Sequence, residues 1–152
     1  MKFAYFNPTV MAVDDVPSGD YSQLKALTDA AHEHSEKNDE GNPEISIRGG
    51  QQIQLLPNEL GLNTTHLKDF VENRCKEYIA NIIKTSGVGD LYGYDPVLIS
   101  AWTIKQESGD YQALHSHEAH ISGNIYIDIP LLEENARPSD ANIEFRLPVI
   151  RN

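Results

Sequence analysis

The pattern of the apolar residues changes near Asp95, and that change limits the folds open to this chain. Before it, Leu67, Phe70, Val71, Tyr78, Ile79, Ile82 and Ile83 recur at helical spacing after Asn63. Asn63 is a good N-cap, Leu62 and Leu67 are placed as a hydrophobic staple, and Gly87 is a natural C-terminal stop. The apolar stripe of such a helix needs a surface to cover. After Asp95 the pattern predicts short strands over 97–106, 111–117, 123–129 and 142–147. Glu107-Ser108-Gly109-Asp110 is the first turn between them, Pro130 ends the third strand, and 131–140 is a polar loop. Helices first and antiparallel strands later describe an α+β domain whose sheet carries the chemistry on its inner face.

Upstream, Phe3 to Val10 has strand-like aromatic content, and Pro17-Ser18-Gly19-Asp20 supplies a stop and an N-cap for a helix over 21–35. That helix carries Leu24, Leu27, Ala30 and Ala31 on one side and leads into a polar loop closed by Gly41-Asn42-Pro43. His32 and His34 lie near its polar end and read as solvated, because residues two apart on a helix do not face each other. Between Glu44 and Leu56, Ile45, Ile47, Ile53 and Leu55 alternate with polar residues around Gly49-Gly50, which fits one or two short strands. His66 and Cys75 on the second helix read as packing or surface residues rather than ligands.

With 152 residues the chain has the size of one domain, and its 12 Lys and Arg against 23 Asp and Glu give a net charge of -11. A field of that sign repels phosphate backbones and anionic lipid. Nucleic acid and membranes are therefore not expected as partners. A single cysteine and no long apolar run point to a reducing cytoplasm.

The segment Gly109-Asp110-Tyr111-Gln112-Ala113-Leu114-His115-Ser116-His117 places two histidines two apart in a predicted strand. Residues i and i+2 of a strand share a face, so His115 and His117 present two imidazoles side by side while Ser116 and Glu118 face away. Two nitrogen donors with part of the metal left open suit a catalytic Fe(II) site better than a closed structural one. The small Ser122-Gly123 leaves room for a ligand beside the metal. His120 has the wrong parity and belongs in the connecting turn. Coincidence is the competing reading, since six histidines make some close pairs unsurprising. Trp102, Tyr111 and Tyr126 read first as core aromatics.

Trp102, Gly109-Asp110-Tyr111-Gln112, His115-x-His117 and Ser122-Gly123-x-x-Tyr126 together resemble the central motif of bacterial and bacteriophage 2-oxoglutarate and Fe(II)-dependent oxygenases. The similarity extends to the Gly-Gly segment, the helix after Asn63, and Ile143-Glu144-Phe145-Arg146-Leu147-Pro148. A glycine followed by five residues and His-x-His is also shared with cupins, but Ile121 stands where a cupin would have its glutamate ligand. A zinc or manganese cupin-type isomerase is correspondingly the weaker reading.

The resemblance implies one oxygenase-like domain over 1–152. Residues 1–90 would be mainly helical support and 95–152 the first half of an antiparallel double-stranded β-helix, a cupin-like jelly roll. It implies Fe(II) on His115 and His117 as part of a facial triad, and 2-oxoglutarate as co-substrate. Trp102, Tyr111 and Tyr126 are carried as candidate cofactor contacts. The implied activity is hydroxylation of a small molecule or a protein side chain, with a homo-oligomer as one possible assembly. His117 occupies the place that is aspartate in most of these oxygenases, which makes the charge at iron one unit more positive. Such a barrel has about eight strands, no histidine follows His120, and the later basic residues are Arg137, Arg146 and Arg151. The expectation is therefore an incomplete form of a longer protein. The alternatives are a barrel completed by a partner subunit, or a non-catalytic jelly-roll binding or structural protein, virion-associated in one version.

Overall fold

The computed structural model describes residues 1–6, 9–38, 51–86, 95–107, 110, 112 and 115–129. The chain divides into two compact units, Met1–Ser122 and Gly123–Asn152. The first is α+β. Its elements run β1 (Lys2–Phe6), β2 (Thr9–Val13), α1 (Ser18–Asn38), β3 (Gln51–Leu56), α2 (Thr65–Ser86) and β4 (Ala101–Lys105).

β1 and β2 form an antiparallel hairpin, with Phe6 opposite Thr9 and Lys2 opposite Val13. The continuous strand expected up to Val10 is thus two strands. The Asn7-Pro8 pair in its middle is the sequence signal that divides it, because proline interrupts a ladder. α2 holds this hairpin. Tyr78 Oη donates to Val10 O at 2.7 Å, and Arg74 reaches Asp14 Oδ2 at 3.2 Å while also pairing with Glu77 at 2.9 Å. The Arg74 guanidinium lies 5.4 Å from the centre of the Phe70 ring. The Met1 ammonium, 3.1 Å from Asp14 Oδ1, holds the Asp14 carboxyl below the usual carboxylate range, and Arg74 adds to the effect.

α1 begins a turn earlier than expected. Pro17 O accepts from Tyr21 N at 2.8 Å, which puts Asp20 inside the first turn, where a carboxylate complements the helix dipole. Leu24 and Ala31 are its buried apolar residues and continue in register to Ser35. α2 starts close to the expected place. Asn63 Oδ1 accepts from Thr65 N at 3.1 Å, Thr64 O accepts from Lys68 N at 3.0 Å, and Leu67 in the first turn is buried. Downstream of α2, Glu72 Oε1 accepts from Leu98 N at 3.0 Å and Lys76 pairs with Asp95 at 3.1 Å. The first contact fixes the chain entering β4. The second is exposed and contributes little.

β3 and β4 form the second antiparallel pair, with Gln52 opposite Ile104, Ile53 opposite Thr103 and Gln54 opposite Trp102. The register shifts between Gln54 and Leu56. Gln54 spans this bulge, its amide donating to Ser100 Oγ and Ala101 O at 3.2 Å each and also to Leu56 O. Ile53, Leu55 and Leu56 complete the buried apolar set with α1 and Leu67.

Among the described residues the strands form two separate two-stranded sheets. Of the strand expected over 97–106, only Ala101–Lys105 is in a ladder, and Val97 and Ile99 ahead of it are exposed. Gln112 and residues 115–117 belong to no ladder, and neither do residues 123–129, where Tyr126 and Ile129 are exposed. Alternating polarity reports a two-faced environment, but a strand also needs a neighbouring backbone to bond. The strand expected over 142–147 lies outside the described residues. No helix among the described residues is long and apolar enough to cross a membrane.

Between β3 and α2, Leu62 N donates to Asn58 Oδ1 at 3.0 Å, and Gly61 has φ of 68°. A Cβ at Gly61 would meet nothing within 4 Å, so only the left-handed backbone opposes a side chain there. Gly61→Ala is expected to destabilise the protein by roughly 1–2 kcal/mol, read as a lower denaturation midpoint with an unchanged slope.

Candidate metal site

The sheet of β3 and β4 has two differently occupied faces. Gln51, Ile53 and Thr103 point toward α1, and alternation along each strand sends Gln52, Gln54, Trp102 and Ile104 the other way. The imidazole of His117 stacks on Trp102, with ring centres 5.2 Å apart and planes 29° from parallel. His115 meets His117 edge to face, at 4.7 Å and 79°. The two histidines are thus together, on irregular chain rather than on a ladder, and both are exposed.

The separation bears on chemistry. With nitrogen–metal bonds of about 2.1 Å and a ring radius of about 1.1 Å, two imidazoles bound at right angles to one ion have centres about 4.6 Å apart. The observed pair fits that spacing. An edge-to-face contact of aromatic rings without an ion occupies the same range. Among the described residues no cluster of three or more His, Cys, Asp or Glu suited to a metal occurs.

Of the other expected site residues, Trp102 forms the wall behind His117. Tyr111 lies outside the described residues. Tyr126 is in the second unit and exposed, and His120 is exposed. Cys75 is half-buried, and burial together with the negative charge of Glu72 pushes its thiol up, as suits a packing residue. His66 Nε2 sits 3.2 Å from Asp20 Oδ1 but off the hydrogen-bonding direction, an ion-pair contact at most. That pair borders a cleft of about 220 Å³ lined also by Asp69, Phe70, Asn73, Arg74 and Glu77. None of the expected metal or cofactor residues lines it.

Two buried polar features went unread in the sequence. The first is around His32, which is half-buried rather than solvated. Gln51 Nε2 donates to Ser35 Oγ at 2.9 Å, which leaves Gln51 Oε1 to face His32 Nδ1 at 3.2 Å. In the neutral ring Nδ1 therefore carries the proton, and Nε2 accepts from Thr103 Oγ1 at 3.2 Å. Ser35 is only 1% exposed. This network ties α1 to both strands of the sheet. The second is Gln52, 6% exposed, whose Oε1 is buried without a hydrogen-bond partner. An unsatisfied acceptor of this kind costs about 1–3 kcal/mol. Both residues sit next to each other in a polar Gln-Gln pair that by composition alone reads as surface.

Comparison with protein-family models, with characterised proteins and with solved structures finds no match.

Thr103→Val removes the hydroxyl on which His32 Nε2 depends. It is expected to lower stability by about 1–3 kcal/mol and to move the His32 ring nitrogen signals in NMR while leaving those of His115 in place.

Proposed function

We propose that this chain is an Fe(II)-binding protein of the 2-oxoglutarate-dependent oxygenase type. In this reading its strands belong to a double-stranded β-helix, and its substrate is a small molecule or a protein side chain. The observation that carries the reading is the 4.7 Å approach of the His115 and His117 ring centres, a spacing open to two imidazoles on one divalent ion. The resemblance of the surrounding motif supplies the choice of iron and of 2-oxoglutarate.

Both donors are neutral imidazoles, so an ion bound here keeps its full charge and stays open to an anionic co-substrate. Fe(II), when bound, supplies the electrons for O₂ activation that the protein's own side chains lack. The protein's part is to bind and to orient. Trp102 fixes the plane of the His117 ring by stacking, so one of the two nitrogens arrives already positioned. The same indole keeps water from one side of the pair. The resemblance carries Tyr111 and Tyr126 as candidate contacts of the co-substrate.

Trp102 is the single tryptophan of the chain, which gives the site a built-in reporter. Anaerobic Fe(II) titration is expected to change Trp102 emission saturably, and addition of 2-oxoglutarate to give a coloured complex. His115→Ala should abolish both. An emission that does not respond, and a wild-type affinity equal to that of His115→Ala, would sink the metal reading and leave the non-catalytic jelly-roll module in its place.

A further inference from the structure

We infer that the side-chain carbonyl of Gln52 is the oxygen donor that joins His115 and His117 on the divalent ion, making a site of two nitrogens and one neutral oxygen. The inference rests on the metal reading above and goes beyond it by naming the third protein ligand among the described residues.

Three observations carry it. Gln52 is 6% exposed, yet its Oε1 has no hydrogen-bond partner among the described residues. Buried acceptors in folded proteins are almost always satisfied, and an orphan marks a position where a cation or a donor from outside the chain belongs. The sheet register then says which site it serves. Gln54 is directly opposite Trp102, and Gln52, two residues along the same strand, is its diagonal neighbour on the face away from α1. Diagonal neighbours lie about 7–8 Å apart, within reach of long side chains. The ring stacked on that same Trp102 is His117, with His115 against it.

The chemistry is consistent with the placement. An amide oxygen is a competent ligand for hard and borderline divalent ions, and it offers a lone pair without a charge. A carboxyl at position 52 would have to be protonated in the empty site and to release that proton to the ion it binds, because an unpaired buried charge is far costlier than an unpaired amide. Glutamine is therefore the residue that tolerates both the empty and the filled site. Ile104, opposite Gln52, supplies no competing polar group.

The test uses the full chain under anaerobic conditions with Co(II) as the probe, following its visible absorption, together with thermal unfolding in the absence of metal. Gln52→Leu removes the orphan and is expected to unfold at the same temperature as wild type or higher, while binding Co(II) at least about tenfold more weakly. Gln52→Glu is expected to bind at least about tenfold more tightly than wild type, and this variant decides the matter if Gln52→Leu does not fold. Unchanged affinity in both variants, with binding lost in His115→Ala, would overturn Gln52 as a ligand and leave the histidine pair standing. A wild-type chain that binds no Co(II) would overturn both.

Discussion

The antiparallel pairing of β3 with β4 is the contact on which the first unit depends. It joins two stretches separated in sequence by the whole of α2, so its closure entropy must be met by what the two faces of the sheet bury. One face is closed by α1, through Leu24 and Ala31 and through the polar chain of Ser35, Gln51, His32 and Thr103. Apolar burial supplies most of the free energy there. The polar chain supplies register, since a slip of one residue would turn Gln51 and Thr103 away from His32 and leave its ring nitrogens bare. The opposite face carries Trp102, and through it the histidine pair. A single ladder therefore sets both the packing of the helix and the placement of the candidate site.

α2 plays a different part. It gathers elements rather than forming the floor of a site. Tyr78 and Arg74 hold the hairpin, Glu72 and Lys76 hold the approach to β4, and His66 meets Asp20 of α1. Most of these contacts are polar and half-exposed, and Leu67 is the one apolar residue of α2 that is buried. Partial burial, with the Cys75 thiol beside it, raises the Tyr78 hydroxyl above its ordinary range, which favours the protonated form that donates to Val10 O. The amphipathic stripe of α2 is in consequence only half covered within the described residues.

Much of this was legible in the sequence. Both helices fall where the apolar period puts them, α1 starting a turn early, and Asn63 acts at the start of α2 by accepting from the helical N–H two residues on. Leu24, Ala31, Ile53, Leu55 and Leu67 are buried as their periodicity requires. The nearness of His115 and His117 also followed from their spacing, though not from the reason offered for it. Strand parity would align the rings, whereas here they meet edge to face on irregular chain, with Trp102 as the organising surface. What could not be read was partnership. Alternation over 111–117 and 123–129 satisfies a strand pattern, but no local pattern states which backbone lies alongside. His32 was misread for a related cause. Its environment is set by Gln51 and Thr103, residues distant in sequence that only the β3–β4 register brings together.

In the proposed metal reading, an imidazole stands where an aspartate is expected, and that has a consequence for how the site would hold an ion. A facial set containing aspartate offsets part of the ion's charge, and its anion also orders the site before the metal arrives. Two imidazoles do neither, and they compete for protons with the metal they bind. In that reading selectivity comes from pre-organisation: from the stack that holds His117 against Trp102, and from the proposed ligand Gln52, whose acceptor is already desolvated. The chain as a whole carries a net charge of -11, which raises the local concentration of cations without fixing any of them. In that reading long-range attraction and short-range neutrality are separated. The first comes from the net negative charge, and the second from side chains that carry no charge of their own.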